Sequence, residues 1–177
     1  MRVTVLEKRK KSLFDALFLK SYLRMGKEQF DSLRSHIEHL AEVSTEWSQE
    51  RLGKSFLTQK VQVSHTNDRI ILPYGPVHKE GIHSVKRRGK SLEKDRDYFI
   101  EPYKDTQRVV MPFSWKSHVT QVTYDAGYGD DPEDVPLSIR NSVLRSVDIL
   151  YRSGGDLSVL ETNSDVLMSD YKDFSLY

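Results

Sequence analysis

The sequence predicts an α+β subunit: a helical core of about three main helices plus a short C-terminal helix, with a small antiparallel β-sheet inserted between the second and third helices. Three observations carry that expectation. Apolar residues recur at helical spacing in Leu13 to Leu23, Phe30 to Leu52 and Pro136 to Tyr151. From Ser55 to Tyr124 the spacing changes to alternation, the signature of strands. The stretch Val119 to Tyr151 then joins a strand to the best-marked helix through a glycine turn and an acidic linker.

Taken in order, Met1 to Leu6 reads as an extended arm and Glu7 to Lys11 (EKRKK) as a basic run, which is ordinarily a solvated helix start or tail. Leu13, Phe14, Leu17, Phe18 and Tyr22 predict a short first helix broken by Gly26. Phe30, Leu33, Ile37, Leu40, Ala41 and Trp47 stripe a longer second helix closed by Leu52 and Gly53. Strand candidates follow at Phe56 to Val63, Arg69 to Leu72, Ile82 to Lys86, Tyr98 to Glu101, Arg108 to Met111 and Val119 to Tyr124. Gly127 and Gly129 flank Tyr128 where positive φ would let the chain reverse. Asp130, Asp131, Glu133 and Asp134 are placed to cap free N–H groups and offset the helix dipole, and Pro136 suits the first turn. Ile139, Val143, Leu144, Val147, Leu150 and Tyr151 form the apolar face of the third helix, which ends at Gly154 and Gly155. Asp156 to Thr162 reads as an irregular connection. Asn163 or Ser164 then caps a last short helix through Val166, Leu167 and Tyr171.

Composition narrows the function classes. The 177 residues suit one domain, with the β insert at about 55–125 and a C-terminal tail at about 156–177. Charged residues make up 30% of the chain but nearly cancel to +1, so any nucleic-acid contact must be local. There is no cysteine, which excludes disulfides and thiolate chemistry. No apolar run reaches the length of a membrane span and no signal-peptide core is present, so a protein made and used without export is expected.

No segment nominates an active site, and no cofactor or metal is expected. His36, His39 and Glu42 share a helix face but are too few for a metal centre, which leaves a polar helix face. Asp130 to Asp134 lacks the ligand alternation of a calcium loop and contains Pro132. Gly127-Tyr128-Gly129 lacks the Lys and Ser/Thr of a phosphate loop, and Tyr128 reads as a packing or interface aromatic. Lys86, Arg87, Arg88 and Lys90 around Gly89 read as an exposed hairpin tip; repeated around a ring it would form a basic collar facing DNA. The tail is acidic and ends in Phe174, Leu176 and Tyr177, apolar groups that gain little unless they dock, on a partner or on the chain itself.

The strand ending in Tyr124-x-x-Gly127-Tyr128-Gly129, the acidic linker, Val135-Pro136 and the helix closing on Leu150-Tyr151 resemble the head–tail connector, or adaptor, proteins of tailed phages. The similarity is to the longer branch of that family, with a strand-rich insert. Ala41, Glu42, Thr45, Arg51 and Leu52 match its second helix, and Leu72-Pro73, Pro76-Val77, Ile82 and Val85 its first hairpin. Asp97-Tyr98, Arg108 to Pro112 and Ser114-Trp115 match its next hairpin and turn, with Lys116 where the family has proline. Arg152 to Gly155 stands where the family continues with an Asn-Arg-Glu type sequence.

The resemblance implies a structural virion protein of the neck, active in genome packaging and ejection without catalysis. It would be a homo-oligomeric ring of twelve copies below the portal, extending the DNA channel and docking stopper or tail-completion proteins, with non-specific contact to packaged DNA. On that reading Val166, Leu167, Tyr171, Phe174, Leu176 and Tyr177 contact the portal or neck. Lys86, Arg87, Arg88 and Lys90 face DNA, and Tyr128, Asp130, Asp131 and Asp134 form a subunit interface or helix cap. The alternatives are another neck or tail-completion component, a stand-alone nucleic-acid-binding protein using Lys8 to Lys11 and Lys86 to Lys90, and an enzyme with a site in the β insert.

Overall fold

The computed structural model describes residues 1–9, 11–112 and 118–167. Eight strands run β1 Arg2–Glu7, β2 Gln59–His65, β3 Arg69–Ile71, β4 Ile82–Arg87, β5 Lys90–Ser91, β6 Phe99–Tyr103, β7 Thr106–Val110 and β8 Thr120–Ala126. Five helices run α1 Ala16–Tyr22, α2 Lys27–Leu52, α3 Leu137–Arg152, α4 Ser158–Thr162 and α5 Ser164–Leu167. The chain forms two compact units: residues 1–10 with 53–130, which hold all the strands, and residues 11–52 with 131–177, which hold the helices.

The strand unit contains a five-stranded sheet in the order β1-β2-β8-β4-β5 and a three-stranded sheet in the order β3-β7-β6, antiparallel throughout. Pairing of β2 with β8 sets Val61 against Tyr124 and Val63 against Val122, all four fully buried. Because side chains alternate, that register sends every second residue of both strands into one layer. Ile70, Leu72, Val85, Val109 and Met111 complete the same core, so both sheets contribute to it.

In the helical unit, α2 and α3 pack along Ile37, Leu40 and Ala41 on one helix and Ile139, Val143, Val147 and Leu150 on the other. Leu160 and Leu167 from α4 and α5 join Leu40 and Leu150 in one cluster. Asp15 caps α1 by accepting from the Phe18 amide at 2.7 Å. α3 closes in a Schellman motif: Gly155 N–H donates to Leu150 O at 2.8 Å while Gly154 takes φ 69°.

These findings correct the expected architecture. The chain is not a helical core carrying a small sheet; it is an α+β protein whose helical segments flank, along the chain, a strand-rich region of two sheets. Alternation reveals strands but not whether they own a core, and twelve buried residues show that these do. Met1 to Leu6, read as an extended arm, is extended, but as a paired strand: Arg2 to Val5 pair with Ser64 to Val61 in β1–β2. The segment expected to be irregular, Asp156 to Thr162, contains α4. Arg24, not Gly26, takes the left-handed conformation after α1, with φ 54° and Met25 N–H bonded to Lys20 O.

Candidate assembly surfaces

The strand-to-helix turn is built by close backbone approach. Gly127 N–H donates to Pro76 O at 3.0 Å, Tyr128 N–H to Phe56 O at 2.9 Å and Thr58 N–H to Gly129 O at 2.8 Å. A Cβ on Gly127 would meet the Leu57 carbonyl and the Thr58 amide at 2.7 Å, and its φ is 139°. Gly127 therefore answers two demands at once, position and conformation. Gly129 does not share the positive φ expected of it.

Tyr128 is half-buried, and its phenol interacts with Lys54, which also forms an ion pair with Asp105. Asp130 is exposed. Asp131 and Asp134 form a reciprocal capping box on a single 3-10 turn, Pro132–Asp134, and not on α3, whose N-cap is Pro136 without a side-chain cap. Lys11 forms an ion pair with Asp131. Within the strand unit a cleft of about 300 Å³ lies at the glycine turn, lined in part by Thr58, His78, Asp125, Tyr128 and Asp130. Asp125 is held there by His83 Nε2 at 2.8 Å.

The basic tip is the β4–β5 hairpin. Arg88 at φ 52° and Gly89 at φ 76° give both central residues the left-handed conformation that suits a two-residue hairpin turn. Lys86, Arg88 and Lys90 are exposed, but Arg87 is only 4% exposed and donates from Nη2 to His118 O at 3.4 Å. Desolvation lowers the Arg87 pKa from its usual range, opposed by the Asp68 carboxylate. Burial and the Arg88 and Arg87 charges together hold His118 below the ordinary imidazole value. The tip thus offers three cations to solvent while the fourth packs at its base.

Of the tail residues, Val166 is 70% exposed, whereas Leu167 is buried against Leu40, Leu150 and Leu160. Ser142 Oγ donates to the Leu167 carbonyl, fixing α5. Tyr171, Phe174, Leu176 and Tyr177 lie outside the described residues, as do Ser114, Trp115 and Lys116. His36 and His39 are exposed, and Glu42 accepts from Ser12 Oγ at 2.7 Å. Among the described residues no group of three potential metal ligands is assembled.

Two surfaces escaped sequence reasoning. Leu13, Phe14, Leu17, Phe18 and Tyr22 predict a helix but not which of them it buries: Leu13, Phe14 and Leu19 are buried, while Leu17 is 73% exposed and Phe18 stacks on Phe14 at 5.8 Å. Leu17, Phe18, Asp15, Ser21 and Arg34 border an open cleft of about 600 Å³. Neighbouring apolar residues at i and i+1 cannot share one face, and that was the available signal. The second surface is the outer edge of β1.

Three solved structures share the fold. A chain of the neck of an empty gene transfer agent particle computed with C6 symmetry matches at a TM-score of 0.70 and 14% identity, over 86% of this chain and 84% of that one. A chain of the virion of a native gene transfer agent particle matches at 0.71 and 12% identity, again over 86% and 84%. A chain of the native particle's neck computed with C12 symmetry gives 0.64 and 12% identity at the same coverage. No family model matches the chain, and no curated protein matches it in sequence. At these identities the likeness is one of fold.

Proposed function

We propose that this protein is a structural component of the neck of a tailed-phage-like particle: a head–tail connector subunit that forms a ring below the portal and works by docking, without catalysis. The single observation that carries this reading is the fold likeness over 86% of the chain to chains from gene transfer agent virions and necks, at TM-scores up to 0.71. It is supported independently by the order of motifs from Ala41 to Tyr151 in the sequence. Twelve copies per ring is our reading, consistent with one related neck having been computed with C12 symmetry.

Each subunit then presents Lys86, Arg88 and Lys90 toward DNA, where they would act on phosphates in a salt-dependent way. Val166, Tyr171, Phe174, Leu176 and Tyr177 engage the portal or an adjoining neck protein, with Leu167 anchoring the start of that segment. The acidic turn at Tyr128 and Asp130 meets the neighbouring subunit.

The test is the native mass of the protein alone and mixed with its portal, for the full chain and for a variant truncated after Leu167. A ring, or a smaller species that joins the portal at fixed stoichiometry and loses that binding on truncation, is the expected result. A monomer that ignores the portal but binds DNA strongly at low salt would replace this reading with the nucleic-acid one.

A further inference from the structure

Two sheets have four edges, and three of them here are blunted. β5 is two residues long, β3 is three, and β6 contains Pro102, which has no amide to offer. β1 differs: it is six residues long, RVTVLE, with neither proline nor lysine, and every residue but Val3 is exposed. Among the described residues no strand pairs with its outer side. Such an edge is a template for another strand.

We propose that β1 pairs antiparallel with β1 of a second copy of this chain about a two-fold axis at Thr4, joining two five-stranded sheets into one. Residues directly opposite each other must point to the same face, so in a two-fold antiparallel pair their numbers sum to an even value. Centred on Thr4, Val3 of one copy faces Val5 of the other, Thr4 faces Thr4, and Arg2 faces Leu6. Val3 and Val5 already lie opposite Val63 and Val61, which are fully buried. The pairing therefore extends that apolar layer across the junction and covers Val5, now 39% exposed.

Charge complements it. The register shift between Val5 and Glu7 carries Glu7 to the face of Lys60, its ion-pair partner at 3.0 Å. Lys60 and Gln62 are one face of β2, the face that Thr4 shares through its pairing with Gln62. Arg2 of each copy then approaches the end of the strand where Glu7 of the other lies, on the same side. Centring on Val5 instead would set Val3 against Glu7 and run the pairing through the bulge. This contact is isologous and closes on two copies, so it is distinct from the head-to-tail contact a ring requires.

The chain has no cysteine, so an introduced one reports without interference. Thr4→Cys puts two thiols on the axis with Cβ atoms about 5 Å apart, and mild oxidation should give a covalent dimer far faster than the exposed control Val166→Cys. Sedimentation of the full-length protein should show a dimer. Val5→Lys should weaken it at least about tenfold by placing a charge on the edge, with an unchanged circular dichroism spectrum. A protein monomeric at all concentrations, Thr4→Cys cross-linking no faster than the control, or a dimer indifferent to Val5→Lys would each overturn the proposal. So would a monomer that needs an intact β1 only to join the portal, since the edge would then belong to a partner's strand. Failure of portal binding with the dimer intact would remove the neck reading and leave this one standing.

Discussion

In the strand unit the buried residues are mainly β-branched or aromatic, and they come from strands far apart in sequence, Val61 meeting Tyr124 and Ile70 meeting Val109. In the helical unit α2 and α3 instead carry small hydroxyl residues at buried positions, Ser44, Thr45 and Ser48 on one and Ser142 and Ser146 on the other. Two of those hydroxyls return to their own helix: Thr45 Oγ1 donates to Ala41 O at 2.7 Å and Ser146 Oγ to Ser142 O at 3.1 Å. The helices can thus approach closely at a local cost, since the helix itself supplies the acceptors. The sheets have no such slack. Their fit depends on distant backbones meeting in register, and one added carbon at the wrong place has nowhere to go.

The sharpest way to break that contrast is Gly127→Ala. The new Cβ meets backbone atoms at 2.7 Å and the φ of 139° is hostile to any side chain. A loss of about 4 kcal/mol is expected in urea unfolding, with amide exchange accelerated first in β2 and β8. A loss under about 1 kcal/mol would mean that the turn can shift, and the contrast would fail.

Leu150→Ala probes the helical side. Leu150 is fully buried among Leu40, Leu160 and Leu167, so truncation should cost about 3 kcal/mol, partly recovered if α4 and α5 settle into the space. Exchange should then quicken in α3 and α4 while β8 stays protected.

Tyr124→Phe sharpens the strand side. The phenol donates to Pro73 O at 2.8 Å from a fully buried ring, and its loss should cost about 1.5 kcal/mol by leaving that carbonyl without its donor. Burial, with Tyr74 adding to it, raises the Tyr124 pKa far above its ordinary value of 10.0. The folded state therefore holds a proton that the unfolded chain releases, so this contribution is complete below pH 10.0 and declines as pH rises above it. Urea midpoints at about pH 8 and about pH 11 should diverge in the native protein and diverge less in Tyr124→Phe.

The smallest effect is expected at Ser48→Ala. Ser48 Oγ is buried with no hydrogen-bond partner among the described residues. Alanine removes that polar atom and favours the helix, so stability should hold or rise by about 0.5 kcal/mol. A marked loss would show that the hydroxyl is satisfied in solution and that the seam is less forgiving than proposed.

Much of the local structure was legible in the sequence because it is set by short-range chemistry. Helical spacing located α1, α2 and α3 to within three residues at either end, and Gly154 and Gly155 marked the close of α3. Alternation located β2, β3, β4, β6, β7 and β8, each with a side-chain period that needs no knowledge of its partner. β5 was missed because two residues carry no period, and α4 because five residues carry less than two helical turns. Of the candidate site residues, Lys86, Arg87, Arg88 and Lys90 around Gly89 were legible as a hairpin tip, because glycine marks turns, but the burial of Arg87 was not.

Sequence alone determined the three longer helices and six of the strands, where the glycine turn must stand, and that the chain has neither thiol chemistry nor a large net charge. Tertiary structure decided what each exposed-looking residue does. Arg87 packs at the base of its hairpin because His118 O lies within reach, and Leu167 enters the core because Leu40, Leu150 and Leu160 leave room for it. Arg2–Glu7 became an edge strand because β2 presents an unpaired side more than fifty residues further along the chain. The physical reason is common to all three: propensity and period act over a few residues, whereas burial and pairing depend on which distant groups arrive beside them.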